Sequence, residues 1–277
     1  MINTEQLTIA IRHNVNAALT EDIGAADLTA QLIPAEQLAS AHILCREAAI
    51  LCGQAWFDAC FRQLDPDFQI NWYAQDGEEI HANQIVCEFN GKARALLTAE
   101  RSAINFLQTL SATATATHRH VAAIKGLSTV LMDTRKTIPG LRLAQKYAVR
   151  MGGGSNQRVG LFDGILIKEN HITAAGSIAA ALAATHHASV PVQIEVENMA
   201  QLQLALTAGA QLILLDNFDL TQLRAAVHLA SRRAQLEASG GIDLENLRAI
   251  AETGVQRISI GAITKHIQAI DFSMRMN

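Results

Sequence analysis

The chain has 277 residues, 49% hydrophobic and only 4% aromatic, with 22 Lys and Arg against 26 Asp and Glu for a formal charge of −4. That length suits one large domain, or a small domain beside a barrel-sized one, and the mild acidity argues against a nucleic-acid binder. No 18-residue apolar run offers a membrane span, and MINTEQLTIAIRHNVNAAL lacks the basic-then-apolar layout of a signal peptide, so a cytoplasmic protein is expected.

Up to about residue 94 the grammar is mixed. Glu21-Asp22 with Asp27-Leu28-Thr29 follows no apolar strand, so it reads as a helix end and a turn rather than an acidic phosphoribosyl-binding motif. Residues 41–51 read as a strand, 54–64 as a helix stopped by Asp65-Pro66, 68–74 as an alternating strand, and 85–89 as a strand ended by Asn90-Gly91. Strands and helices without strict alternation predict an α+β open sandwich. Cys45, Cys52, Cys60 and Cys87 have no C-x-x-C spacing, so buried free thiols are expected rather than zinc.

A long helical pattern runs from about 95 to 125, with a break expected within it. Arg101, Asn105 and Gln108 fall on one face of it, which by spacing alone is a solvent-exposed stripe. His118-Arg119-His120 reads as polar surface, because i and i+2 point apart on a helix.

From Ser128 the grammar is regular. Apolar runs at 130–132, 165–167, 190–194, 212–215, 235–236 and 258–260 alternate with helical segments that include 173–187, 198–208, 219–232 and 243–254. Repeated βα units demand a parallel sheet. Each run is followed by polar or glycine residues: Asp133 with Arg135 and Lys136; Lys168; Glu195 and Glu197; Asp216 with Asn217; Glu237 with Ser239, Gly240 and Gly241; and Gly261. In a (β/α) barrel these ends converge on one mouth, which favours an incomplete barrel of six to seven parallel strands over an open sheet. The expected division is 1–108, joined by 266–277, for the sandwich and 109–265 for the barrel.

The mouth gathers Arg135, Lys136, Arg158 and Lys168 as cations, Glu195 and Asp216 as anions, and glycine-rich loops at 239–241 and 260–262 of the kind that hold phosphates. Residues 133–171 alone hold seven of the 22 Lys and Arg; Arg142, Lys146 and Arg150 fall on a helical segment and read as its solvated basic face. No Ser–His–Asp grouping and no Walker A loop is present. Such a mouth suits polyanionic small molecules: a phosphate monoester, a pyrophosphate with Mg²⁺, and a carboxylated second substrate. A barrel aldolase with Lys168 as Schiff-base nucleophile and a non-catalytic polyanion scaffold remain open at this level.

The blocks AALTEDIGAADLTAQLIP (17–34), REAAILCG (46–53), AERSAINFLQTLS (99–111), DTRKTIPGLRLAQKYAVRMGGG (133–154), GLFDGILIKENHI (160–172), IEVEN (194–198), ILLDN (213–217), EASGG (237–241) and ISIGAITKH (258–266) resemble quinolinate phosphoribosyltransferase over nearly the whole length. The resemblance implies transfer of phosphoribose from phosphoribosyl pyrophosphate to quinolinate with decarboxylation, using Mg²⁺, in a homodimer with shared sites. A paralogue acting on another carboxylated base, such as nicotinate, is the near alternative. Carried over by position, Lys136, Lys168, Glu195 and Asp216 are the expected catalytic residues, with Glu195 and Asp216 toward Mg²⁺ and the ribose. Arg101, donated to a second copy's site, Thr134, Arg135, Gln157, Arg158 and Lys168 are expected at the substrates, and Ser239, Gly240, Gly241 and Gly261 at the 5′-phosphate. One departure stands out: the family usually reads Asn-His-Arg where this chain has Asn156-Gln157-Arg158. An amide hydrogen-bonds but does not titrate near neutral pH.

Overall fold

A computed structural model describes residues 3–277. Helix α1 (Thr4–Ile23) starts on a reciprocal capping box between Asn3 and Gln6 and ends at Gly24, φ +55°. Glu21 and Asp22 occupy its last turn, as expected. The strand expected over 41–51 divides into β1 (Leu38–Cys45) and β2 (Ala49–Ile50), because the two parts pair with different sheets. Helix α2 (Gln54–Leu64) has the expected bounds. Its N-cap, Gly53, has no side chain, so the cap comes from another turn: Asp76 Oδ1 accepts from Gly53 N at 2.9 Å and Gln54 N at 3.2 Å.

Strands β3 (Gln69–Trp72), β4 (Glu79–Ile80) and β5 (Ile85–Lys92) follow. β5 runs through Asn90-Gly91 instead of stopping there, since Ser40, Ala39 and Leu38 of β1 pair with Asn90, Gly91 and Lys92. Helix α3 (Ala93–Ala123) is continuous; the expected break is absent among these described residues, and its buried Ser111 and Thr115 hydroxyls accept from Cys52 N at 2.9 Å and Ile50 N at 2.8 Å. The chain then passes through β6 (Val130–Met132), α4 (Arg142–Met151), β7 (Ile165–Ile167), α5 (Glu169–Ala175), α6 (Ile178–Ala183), β8 (Val192–Val196), α7 (Met199–Thr207), β9 (Leu212–Asp216), α8 (Leu220–Ala230), β10 (Gln235–Ser239), α9 (Leu247–Ala251), β11 (Arg257–Ser259), α10 (Ala262–Lys265) and β12 (Phe272–Met276). A single crossover helix over 173–187 was expected. Gly176 in the left-handed region ends α5, and Ser177 caps α6 by accepting from Ala180 N, so two short helices form instead.

Residue contacts divide the chain into two compact units. The first comprises residues through His118, Thr137–Gly153 and Ile263–Asn277. It holds an antiparallel sheet in the order β12-β1-β5-β3. Phe57, Phe61, Phe68 and Phe89 form its aromatic core, with ring centroids 4.8 to 5.8 Å apart. All four cysteines are buried and unbridged. The unit also includes α4, which the expected division placed with the barrel: Gln145 on α4 donates to Thr264 O at 2.7 Å, and the Tyr147 hydroxyl donates to Asp76 at 2.8 Å. On α4 only part of the expected solvated face exists. Arg150 is exposed and Arg142 half-buried, but Lys146 is fully buried, as are its helix neighbours Ala144, Gln145 and Ala148.

The second unit comprises Arg119–Lys136 and Gly154–Ala262. Its described residues form a six-stranded, all-parallel sheet in the order β6-β11-β10-β9-β8-β7. The first strand pairs with the last, so the sheet curls into a barrel, but β6 and β7 do not pair with each other. The segment after the glycine triplet enters that seam: Ser155 bridges Met132, donating to Leu131 O at 2.8 Å and accepting from Asp133 N at 3.0 Å. The barrel is therefore incomplete. No helix among the described residues is long and apolar enough to cross a membrane.

Candidate active site at the strand ends

Parallel pairing aligns the inward positions of adjacent strands. Gln193 lies beside Leu166, Glu195 beside Leu214, Glu237 beside Leu214, and Ser239 beside Asp216. With alternation along each strand, these side chains share one face and line a cavity of about 580 Å³. Thr134, Arg135, Lys136, Gln157, Arg158, Lys168, Glu195, Asp216 and Ser239, all expected at the site, line the same cavity.

The end of β6 is shaped by Asp133, which is fully buried. Its Oδ2 accepts from Asn156 Nδ2 and its Oδ1 from Gln157 N, both at 2.8 Å. This clamps the seam segment in place and so sets where Arg158 begins. Thr134 Oγ1 accepts from Lys136 N at 3.1 Å, turning the chain after Arg135. A Cβ at Gly261 would lie 2.9 Å from Lys136 Cδ, so glycine there lets the lysine stem lie flat.

Arg158 Nη1 donates to Gly164 O at 2.9 Å. Burial pushes the Arg158 guanidinium below its usual range, the charge of Arg135 adds to this, and Asp163 opposes it. Two cations held close enough to repel one another are stabilised by an anion between them. Lys168 follows β7 and Glu195 lies on β8; Lys168 Nζ donates to Glu195 Oε2 at 2.9 Å and Oε1 at 3.1 Å. Asp216 Oδ2 accepts from Asn217 Nδ2 at 3.0 Å, and Asn217 N donates to Ser239 O at 2.9 Å. Asn217 sits at φ +57° with its side chain over Gly240, where any Cβ would strike it; Gly240 itself is at φ +104°. This carboxylate, amide and glycine turn are thus one locked unit.

Gly240, Gly241 and Gly261 follow the strand ends but are not among the residues lining the cavity. Gly261 leads directly into α10, whereas a turn at Asp243 separates Gly241 from α9. Arg101 belongs to the first unit, exposed on α3 with Asn105, while Gln108 on the same face is half-buried. His118 and Arg119 are exposed and His120 half-buried.

Sequence reasoning passed over Gln193 and Asn156, which also line the cavity. The signal for Gln193 was present: an amide inside the expected run 190–194, two positions before Glu195 and so on the same face; it was passed over because only residues after each run were assigned to the mouth. A larger hollow of about 1400 Å³ opens at the opposite, N-terminal ends of the strands. Its walls include Ala179, Ala183, Ala208, Gly209 and Ala210 and no Asp or Glu, so the mixed charges converge at the C-terminal mouth, where barrel chemistry is found.

Comparison with known proteins gives a consistent result. The family model for the quinolinate phosphoribosyl transferase N-terminal domain matches residues 27–111, and that for the C-terminal domain matches 113–275. The chain is 40% identical over 269 residues to the probable carboxylating nicotinate-nucleotide pyrophosphorylase of Bacillus subtilis (strain 168), covering 96% of this chain and 93% of that one. It is 39% identical over 277 residues to the carboxylating nicotinate-nucleotide pyrophosphorylase of Mycobacterium leprae (strain TN), covering 96% of each. Among solved structures, the nicotinate-nucleotide pyrophosphorylase from Francisella tularensis superposes with a TM-score of 0.94 at 47% identity, covering 97% of this chain and 96% of that one.

Proposed function

The chain belongs to the quinolinate phosphoribosyltransferase family, and we infer from that membership that it converts quinolinate and phosphoribosyl pyrophosphate to nicotinate mononucleotide, CO₂ and pyrophosphate, a step of de novo NAD biosynthesis. The observation that carries the site assignment is the cavity itself, which brings Arg135, Lys136, Arg158 and Lys168 together with Glu195, Asp216 and Ser239. Two substrates that are both polyanions need several charge-assisted contacts before they meet, each contributing about 1.5–3 kcal/mol.

Arg135, Arg158 and Lys168 grip the two quinolinate carboxylates. Lys136 and Lys168 face the pyrophosphate, Thr134 and Gln157 support the substrates, and Ser239 with Gly240, Gly241 and Gly261 receives the 5′-phosphate. As the pyridine nitrogen attacks the anomeric carbon, the bond to pyrophosphate breaks with its electron pair leaving on oxygen. Positive charge grows on the ribose ring, where Glu195 and Asp216 stabilise it. The bond to the ring-2 carboxylate then breaks with its electron pair left on that ring carbon, stabilised by the adjacent quaternised nitrogen; CO₂ departs and the carbon's pair takes a proton from water. Orientation by the arginines is most of what this second step needs.

The donor set fits Mg²⁺. The described residues contain no cluster of three His, Cys, Asp or Glu side chains able to hold a metal by themselves. Mg²⁺ favours one or two carboxylates plus substrate phosphates and water, and Glu195 and Asp216 supply the carboxylates. When bound, the ion would neutralise charge on the departing pyrophosphate. Arg101, exposed on α3, supports a homodimer in which each copy completes the other's site. We place the enzyme in the cytoplasm.

The test is release of pyrophosphate and CO₂ from quinolinate, phosphoribosyl pyrophosphate and Mg²⁺ by purified protein. Stoichiometric release of both is expected, and a folded protein that releases neither refutes the reading.

A further inference from the structure

Glu237 lies in the middle of β10, 1% exposed, on the cavity face. Its Oε2 accepts from Gln157 Nε2 and from Gln193 Nε2, the latter at 3.0 Å. Gln157 Nε2 also donates to Gln193 Oε1 at 3.3 Å, which closes a triad. Glu237 Oε1 is buried and has no hydrogen-bond partner among the described residues. The ion pairs of the described residues do not include Glu237 either.

A carboxylate only accepts, so Glu237 dictates which end of each neighbouring amide is nitrogen. Both hydrogens of the Gln157 amide are thereby turned onto Glu237 and Gln193. A buried carboxylate with only two amide donors is costly, and such groups are kept where they serve specificity. Around it the cavity is polarised. Arg135, Arg158 and Lys168 line the cavity as cations, while Glu237 brings a carboxyl oxygen that accepts no hydrogen bond; Arg257, its register neighbour, also lines the cavity but forms no ion pair with it. A pyridine carrying two carboxylates on adjacent carbons has one charged edge and one C–H edge. Like-charge repulsion keeps the charged edge away from Glu237.

We propose that Glu237 is a specificity-determining residue of the base site: its unpartnered oxygen turns the diacid so that the carboxylates face the arginines and the C–H edge faces the floor. The proposal rests on the cavity being the quinolinate site. It adds a selection rule, that pyridine acids with a carboxylate on the far edge are rejected by charge rather than by size alone.

Calorimetric binding of pyridine-2,3-dicarboxylate and pyridine-2,5-dicarboxylate to wild type, Glu237→Gln and Glu237→Asp tests this. Wild type is expected to prefer the 2,3-isomer by about 100-fold or more, a repulsion of several kcal/mol being available. Glu237→Gln, the same shape without the charge, narrows the preference about 10-fold through tighter binding of the 2,5-isomer. Glu237→Asp keeps the charge and keeps the preference. The proposal is overturned if Glu237→Gln leaves the ratio within twofold, if both isomers weaken together as a purely structural role requires, or if Glu237→Asp relaxes selection equally. A folded wild type that binds neither isomer removes the quinolinate reading and this proposal with it. Binding of the 2,3-isomer with an unmoved ratio removes only this proposal.

Discussion

Lys168 Nζ lies 2.9 Å from Glu195 Oε2, a cation ending one strand paired with an anion on the next. The register makes the pair: Ile167 aligns with Ile194, so the following residues meet on the inward face. Without substrate each neutralises the other, and in the proposed reaction the pair holds Glu195 toward the ribose. Lys168→Ala should lower kcat about 10²-fold or more, the scale for losing a preorganised electrostatic group. Steady-state kinetics decides it: turnover at the wild-type rate would mean that Lys168 has been misassigned.

Arg158→Ala should separate activity from stability. The guanidinium is disfavoured by burial and by Arg135, so its removal relieves repulsion in the unliganded protein. The thermal midpoint is expected to change little, because relief of the repulsion with Arg135 is offset by loss of the Asp163 attraction and of the hydrogen bond to Gly164 O. The KM for quinolinate should rise about 10-fold or more, as one charge-assisted contact is lost. A variant with unchanged KM and a lowered midpoint would point to a purely structural arginine.

Gly240→Ala tests the phosphate turn. A Cβ would run into Asn217 Oδ1, and the φ of +104° is one that side chains rarely adopt. Strain of about 1–3 kcal/mol is expected there. If the turn binds the 5′-phosphate, KM for phosphoribosyl pyrophosphate should rise more than KM for quinolinate. Equal changes in both would argue against a phosphate role.

Asp27 gives a pH prediction. The Ala30 backbone N–H and the Thr98 hydroxyl hold its carboxyl below the usual carboxylate range. A depressed folded value means that the stabilisation is complete above the unfolded value near pH 4 and disappears as pH falls through the folded one. Asp27→Asn should therefore be less stable than wild type in urea at pH 7, with the gap closing toward pH 3. A gap that persists or widens in acid would show that the carboxylate charge is not responsible.

Chelation should abolish turnover, and Mg²⁺ should restore it, if Glu195 and Asp216 share an ion with the pyrophosphate. Activity that survives exhaustive chelation would leave the two carboxylates acting on the ribose alone.

Much of this was legible because period and chemistry coincide. The apolar runs from Val130 onward mark strands, and the polar residue after each marks the mouth, so the barrel and its cations could be read without coordinates. Errors arose where local pattern competes with pairing. Residues 41–51 read as one strand, although β1 and β2 join different sheets. Gly176 was passed over as a break in a helix, and assigning only the residues after each apolar run to the mouth hid Gln193, which lies inside its run. Lys146 looked solvated because charge suggests exposure, while α4 turns that stem inward.

The sequence by itself determined the barrel-plus-sandwich class and the set of charged residues after the strands, since these follow from side-chain chemistry at fixed spacing; the family followed from the resemblance of its blocks. Only the tertiary structure decided how those residues pair. Lys168 meets Glu195 through strand register, Asn217 locks Gly240 through a left-handed turn, and Gln157 is bound to Glu237, 80 positions away, through the open seam between β6 and β7. Spacing along a chain sets which face a residue occupies; which residue of another strand it meets depends on register and closure, and those are settled only when all the strands pack at once.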